Sequence, residues 1–197
     1  MYVRCWLWHI ARLLFIAQRG RGPLSRLIFI VFICLSFVSC SNIRPVDYAQ
    51  ESPTLDFKKF LQGNLTGWGI YQERGGRVAK RFRIDMTADW QGNIGKFIER
   101  FHFNDGTKQV REWTLTRIDD HHYIGKANDS VGSGKGEVRG NSMHWHYTIR
   151  TETDSGIYDL DYDYWMYLID EKTLINRATL SKFGFTLGDI AVTFHKQ

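Results

Sequence analysis

Two histidines one residue apart, His144-Trp145-His146, are the first candidates for chemistry in this chain of 197 residues. Alternate residues of a strand point to the same side, so both imidazoles share a face and could together hold Zn²⁺ or Cu²⁺. A hairpin turn at Asp154-Ser155 puts His146 opposite Asp163, Thr148 opposite Asp161 and Arg150 opposite Asp159. A carboxylate facing the pair completes a three-ligand set. The same register also reads as an outward ladder of charge and hydrogen-bond pairs, with Met143, Trp145, Tyr147 and Ile149 turned inward. A metal protein using His144 and His146 is therefore kept as an alternative, and no metal is assigned.

The other polar clusters carry less. His121-His122 beside Asp119-Asp120 has the composition of a solvated turn. Gly132-Ser133-Gly134-Lys135-Gly136 has the glycine content of a phosphate loop but lacks the Gly-Lys-Ser/Thr ending, and no helical pattern follows. It reads as a glycine-rich strand whose small residues permit a sharp bend. There is no Gly-x-Ser-x-Gly elbow, and all three cysteines, Cys5, Cys34 and Cys40, lie in the first forty residues. The remaining chain has no cysteine nucleophile and no internal disulfide. The sequence calls for no catalytic centre and no cofactor.

Aromatic residues are more informative. Phe82, Met86, Trp90, Phe97, Phe101, Trp113, Trp145, Tyr147, Tyr158 and Tyr162 fall on one face of their respective segments. If those segments close on one another, this face becomes either a solid core or the lining of a ligand cavity, and both readings stay open.

The elements that position these residues follow from period. Leu55 to Leu61 has helical spacing and stops before Gly63. From there the period is two. Strands are predicted at 65–73, 78–90, 94–103, 108–117, 123–127, 134–139, 143–149, 158–164, 173–181 and 185–195. Short polar turns such as Gly75-Gly76 and Asp105-Gly106 join them. About ten antiparallel strands with near-minimal connections predict an all-β, up-and-down barrel with a short N-terminal helix, spanning residues 55–197.

The first forty residues are of another kind. Leu27 to Val38 is an unbroken apolar run apart from Cys34 and Ser36, with Arg26 on its N-terminal flank. It is shorter than the ~20 residues of a bilayer span and has the size of the apolar heart of a signal peptide. Residues 1–39 are read as that signal. Within them residues 1–23 are expected to precede the true translation start, at Leu24. Arg4, Arg12, Arg19, Arg21 and Arg26 meet no acidic residue before position 41, and without them the chain has 21 basic residues against 21 acidic ones. A nucleic-acid partner is disfavoured by that balance. Residues 40–54, polar and containing Pro45 and Pro53, read as a tether.

Three resemblances add to this reading. Phe37-Val38-Ser39-Cys40 resembles a bacterial lipobox, with Phe37 in place of the usual Leu. It implies that Cys40 is lipidated and becomes the mature N-terminus, and Ser41 after it implies the outer membrane, with the domain facing the periplasm. Trp113-Thr114-Leu115-Thr116, Tyr123-Ile124-Gly125-Lys126-Ala127, Asp163-Tyr164-Trp165-Met166-Tyr167-Leu168, Asn176-Arg177-Ala178 and Ser181-Lys182-Phe183-Gly184 resemble, in order, the bacterial lipoprotein family known as domain of unknown function 3833. That family brings no activity with it. Lastly, a short helix, Gly67-Trp68 near a strand start and a late Arg177 are similar to lipocalin-like barrels. That likeness implies that Arg177 packs over Trp68 to close one end of a lipophilic pocket. Phe82, Met86, Trp90, Phe101, Trp113, Trp145, Tyr147 and Tyr162 are then the expected ligand contacts, and an acyl chain or similar apolar molecule the expected ligand. A cell-envelope protein with a solid core is the competing expectation.

Overall fold

Period-two patterning becomes strand throughout the computed structural model, which describes residues 42–153 and 156–197. The expected signal, the lipidation cysteine Cys40 and the turn residues Asp154-Ser155 lie outside those residues. A single turn of 3₁₀ helix, Pro45–Tyr48, and a short helix α1, Phe57–Phe60, precede ten strands. These are β1 (Gly63–Glu73), β2 (Val78–Gln91), β3 (Ile94–Phe103), β4 (Lys108–Arg117) and β5 (His122–Ala127). They continue as β6 (Gly134–Arg139), β7 (Ser142–Thr153), β8 (Gly156–Leu168), β9 (Thr173–Lys182) and β10 (Phe185–Lys196).

Each strand pairs antiparallel with the next, and β10 pairs back on β1 from Leu65↔Lys196 to Glu73↔Gly188, closing the barrel. Closure leaves no strand edge exposed. The β7–β8 register is the one expected from sequence, with His146 opposite Asp163 and Arg150 opposite Asp159. Alternation then sorts the side chains: in β2, Phe82, Ile84, Met86, Ala88 and Trp90 are buried while their neighbours face out.

One end of the barrel is plugged by α1. Asp56 caps the helix by accepting from Lys59 N at 3.0 Å, and Lys196 Nζ donates to the carbonyls of Lys59 and Phe60 at 2.5 and 3.1 Å. Phe57, Phe60 and Leu61 are driven into the barrel, and Trp90 Nε1 fixes the plug by donating to Leu61 O at 2.8 Å. Residues 43–54 do not hang free as a tether. Pro45 is buried, Tyr48 packs against Trp165 and Tyr167 on the outer wall, and Leu55 N donates to Gly140 O at 2.8 Å.

The glycine-rich segment around β6 serves a purpose other than a bend. A Cβ on Gly136 would lie 2.1 Å from the Trp145 ring, and one on Gly125 or Gly134 would also crowd that indole. These glycines make the slot that lets a tryptophan lie flat inside a narrow barrel. Gly136→Ala should therefore cost about 1–3 kcal/mol of unfolding free energy through overpacking. Gly75→Ala, where nothing lies within 4 Å, should stay within about 0.5 kcal/mol of the parent. Urea unfolding of the two variants checks the contrast.

Candidate ligand cavity

Above the α1 plug the inward side chains do not fill the barrel. They leave a cavity of about 540 Å³, within the ~300–1,000 Å³ typical of small-molecule sites. Phe57 and Leu61 form its floor; Ile84, Met86, Phe97, Leu115 and Trp145 form its lower wall; Lys80, Phe103, Glu152 and Thr153 stand at the opposite end. The aromatic rings hold one another in place. Tyr147 stacks on Tyr162 at 4.9 Å between centroids, and Trp113 meets Tyr147 edge-on at 5.2 Å.

Between floor and mouth the lining turns polar. Glu99 and Arg111 are cross-strand neighbours on β3 and β4, and the parity that sends Phe97 and Trp113 inward sends them inward too. Arg111 Nε donates to both carboxylate oxygens of Asp129 at 3.0 and 2.9 Å. Asp129 lies between β5 and β6, in a segment tied to β7 by Arg150 N donating to Asp129 O at 2.8 Å. On β9, Asn176 Nδ2 donates to the Tyr164 hydroxyl at 2.9 Å, while Asn176 Oδ1, in a side chain only 3% exposed, has no partner.

Burial pushes the Glu99 carboxyl above its ordinary range, with Asp129 adding to the rise and Arg111 and a hydrogen bond from Trp113 opposing it. Burial also works against the Arg111 cation. The acidic groups around it, Tyr147, Glu99 and Asp129, outweigh that penalty and hold it firmly protonated. Tyr147 and Tyr164 are raised chiefly by burial, so both stay neutral donors and acceptors.

Of the residues expected to contact a ligand, Phe82, Met86, Phe101, Trp113, Trp145, Tyr147 and Tyr162 all line this cavity. Trp90 does not; it is part of the plug, packed on Phe97 and Tyr123. The expected closure of the barrel by Arg177 over Trp68 is not what the structure shows. Trp68 is 54% exposed on the outer wall, Arg177 is exposed as well, and α1 closes that end instead. The reason is parity: both residues fall on the outward register of their strands. His144 bonds Asp163 and stacks on Trp165 at 4.3 Å, and His146 is exposed, so the histidine pair sits on the outer face. Among the described residues no three His, Cys, Asp or Glu side chains are grouped to hold a metal. Glu99, Arg111 and Asn176 escaped the sequence reading although the period-two rule that placed their apolar neighbours applies to them equally.

The family model for proteins of unknown function DUF3833 matches residues 34–196. The chain belongs to the DUF3833 family. No curated protein shows significant sequence similarity to this DUF3833 chain. Solved structures that share its fold include two distant ones. The S-type phycobiliprotein lyase CPES of Guillardia theta aligns with a TM-score of 0.54 at 6% identity, over 74% of this chain and 94% of its own. Rv2717c of M. tuberculosis aligns with a TM-score of 0.52 at 15% identity, over 75% of this chain and 99% of its own. At such identities the likeness is one of architecture, a lipocalin-like barrel.

The Glu99 shift has a consequence for this DUF3833 barrel that can be measured. A carboxyl raised in the folded state binds more protons folded than unfolded between the unfolded value, ~4.3, and the folded one. Stability contributed by the neutral form is lost as the pH rises through that interval. Arg111, Tyr147, Tyr162 and Tyr164 line the same space, Asp129 is bonded to Arg111, and none of them is removed by Glu99→Gln. The variant should therefore gain stability relative to the parent as the pH rises. A difference that stays flat with pH would contradict a raised Glu99.

Proposed function

We propose that this protein is an outer-membrane lipoprotein, anchored through Cys40, whose barrel is a non-catalytic binder of a lipophilic small molecule. The observation that carries the reading is the cavity. A solid-core envelope protein, the competing expectation, has no use for a space of about 540 Å³ walled by aromatic rings. Burial of apolar ligand surface against those rings supplies the driving force, at roughly 25 cal/mol per Å² before the costs of association are met.

The anchor is supported by the apolar run ending at Val38-Ser39-Cys40 and by its resemblance to a lipobox. It has a geometric corollary. The folded unit begins at Ile43, and an extended chain gains at most ~3.6 Å per residue. A lipid on Cys40 would thus hold the barrel within about 10 Å of the bilayer surface, close enough to exchange a poorly soluble ligand with it.

Two measurements test the two halves separately. Residues 41–197 contain every strand pairing and the whole described core, so that piece, secreted to a bacterial periplasm and purified without detergent, is suited to native mass spectrometry. A discrete bound mass that solvent extraction releases is the expected result. A clean apo mass, unchanged after incubation with a mixture of lipophilic compounds, would contradict binding. For the anchor, Cys40→Ser in the full chain should move the protein from the membrane to the soluble periplasmic fraction. Continued membrane residence would contradict lipidation.

A further inference from the structure

The apolar lining of the cavity is crossed at mid-depth by a polar belt, made of Glu99 from β3, Arg111 from β4, Tyr164 from β8 and Asn176 from β9. Placing such groups inside a barrel costs stability unless each finds a partner. Asp129 takes only the Nε proton of Arg111, with both carboxylate oxygens. The Nη protons have no partner among the described residues, and the side chain, 12% exposed, lines the cavity. Phe101 backs the guanidinium with its ring centre 5.5 Å away. Tyr164 accepts from Asn176 Nδ2 at 2.9 Å, which leaves one proton on that nitrogen and the hydroxyl proton of Tyr164 itself. The guanidinium charge acts on the same hydroxyl, so the two donors share one part of the wall. Glu99 accepts from Trp113, and burial raises its carboxyl toward the neutral form. Against these donors stands one acceptor of the belt without a donor, Asn176 Oδ1. The belt thus offers a ligand protons, foremost those of Arg111.

Resting on the reading of the barrel as a binder, we infer that its ligand is a lipophilic molecule whose polar group is a carbonyl or carboxylate oxygen, that this oxygen lodges at mid-depth on the Nη atoms of Arg111 with Tyr164 beside it, and that cationic head groups are discriminated against. The guanidinium fork matches a planar oxygen acceptor, and bonds from a charged donor in a dry site are the strong ones. An ammonium would bring a second cation to the same place and offer Arg111 no lone pair. The mouth does not reverse this preference, because Lys80 there is accompanied by Glu152. A free acid and an ester present the same oxygen and differ in charge. Arg111 already has one acid in Asp129 at 2.9 Å, so relative affinity for the two reads which of them the site is built for.

The test uses residues 41–197 and three probes of one chain length, decanoate, methyl decanoate and decylamine, kept below micelle-forming concentrations. Binding is read at neutral pH by calorimetry and by the fluorescence of the cavity tryptophans. Decanoate or its methyl ester is expected to bind about tenfold or more tighter than decylamine, the worth of one hydrogen bond to a charged group. Arg111→Gln should remove that preference by weakening the oxygen-bearing probe about tenfold while leaving decylamine no weaker. Because this change strands Asp129, the double variant Arg111→Gln, Asp129→Asn, which removes the ion pair as a unit, is measured beside it and should lose the preference too. Decylamine binding as tightly as both oxygen-bearing probes would overturn the inference and leave the binder reading standing. Failure of all three probes would overturn both. A preference for oxygen that survives in both variants would overturn the assignment to Arg111.

Discussion

The pairing of β1 with β10 is the constraint on which everything else in this molecule rests. An open sheet of ten strands would have one covered face, two bare edges and no interior. Once Leu65 to Glu73 pairs along β10, every strand has an inside and an outside, and alternation alone decides which side chains meet. Aromatic residues sent inward then share a narrow space, and glycines such as Gly125 and Gly136 are required where the Trp145 ring would otherwise strike a neighbouring strand. The same alternation that buries Phe97 and Trp113 sends Glu99 and Arg111 inward with them.

A polar belt in such a place is expensive, and its partial pairing is the informative part. Asp129 offsets Arg111 from a connection fastened to β7, so the guanidinium is held without any ligand. Glu99 accepts from Trp113, and Asn176 Oδ1 is buried without a donor. In a barrel selected only for stability, apolar residues of similar volume would do at least as well at these positions. Their presence beside a cavity of ligand size makes sense if a bound molecule completes their hydrogen bonding.

Much of the architecture was legible in the sequence because strand parity is a strong, local signal. Ten strands, the β7–β8 register and the inward aromatic set all follow from period two, and closure follows from short connections and the absence of crossovers. The α1 plug showed as a brief change of period at Leu55 to Leu61, but its target did not, since nothing local says that a helix enters a barrel. Reasoning by fold likeness was less safe. Trp68 and Arg177 matched the residue types of a closure seen in similar barrels, yet their parity faces them outward. The polar residues of the cavity are harder to see for the converse reason: Glu99 and Arg111 belong to no motif, and only their position within the strand marks them as inward. The packing of residues 43–54 on the outer wall rests on tertiary contacts of Tyr48 and Leu55 that composition does not encode.

A crystal structure of residues 41–197, purified from a bacterial periplasm without detergent, tests the central claim most directly. The account predicts a hollow barrel with electron density inside it that reaches Glu99 and Asn176 and is enclosed by Trp113, Tyr147 and Tyr162. A barrel whose tyrosine and tryptophan side chains have turned inward to fill that space, with Asn176 Oδ1 bonded within the protein, would contradict it.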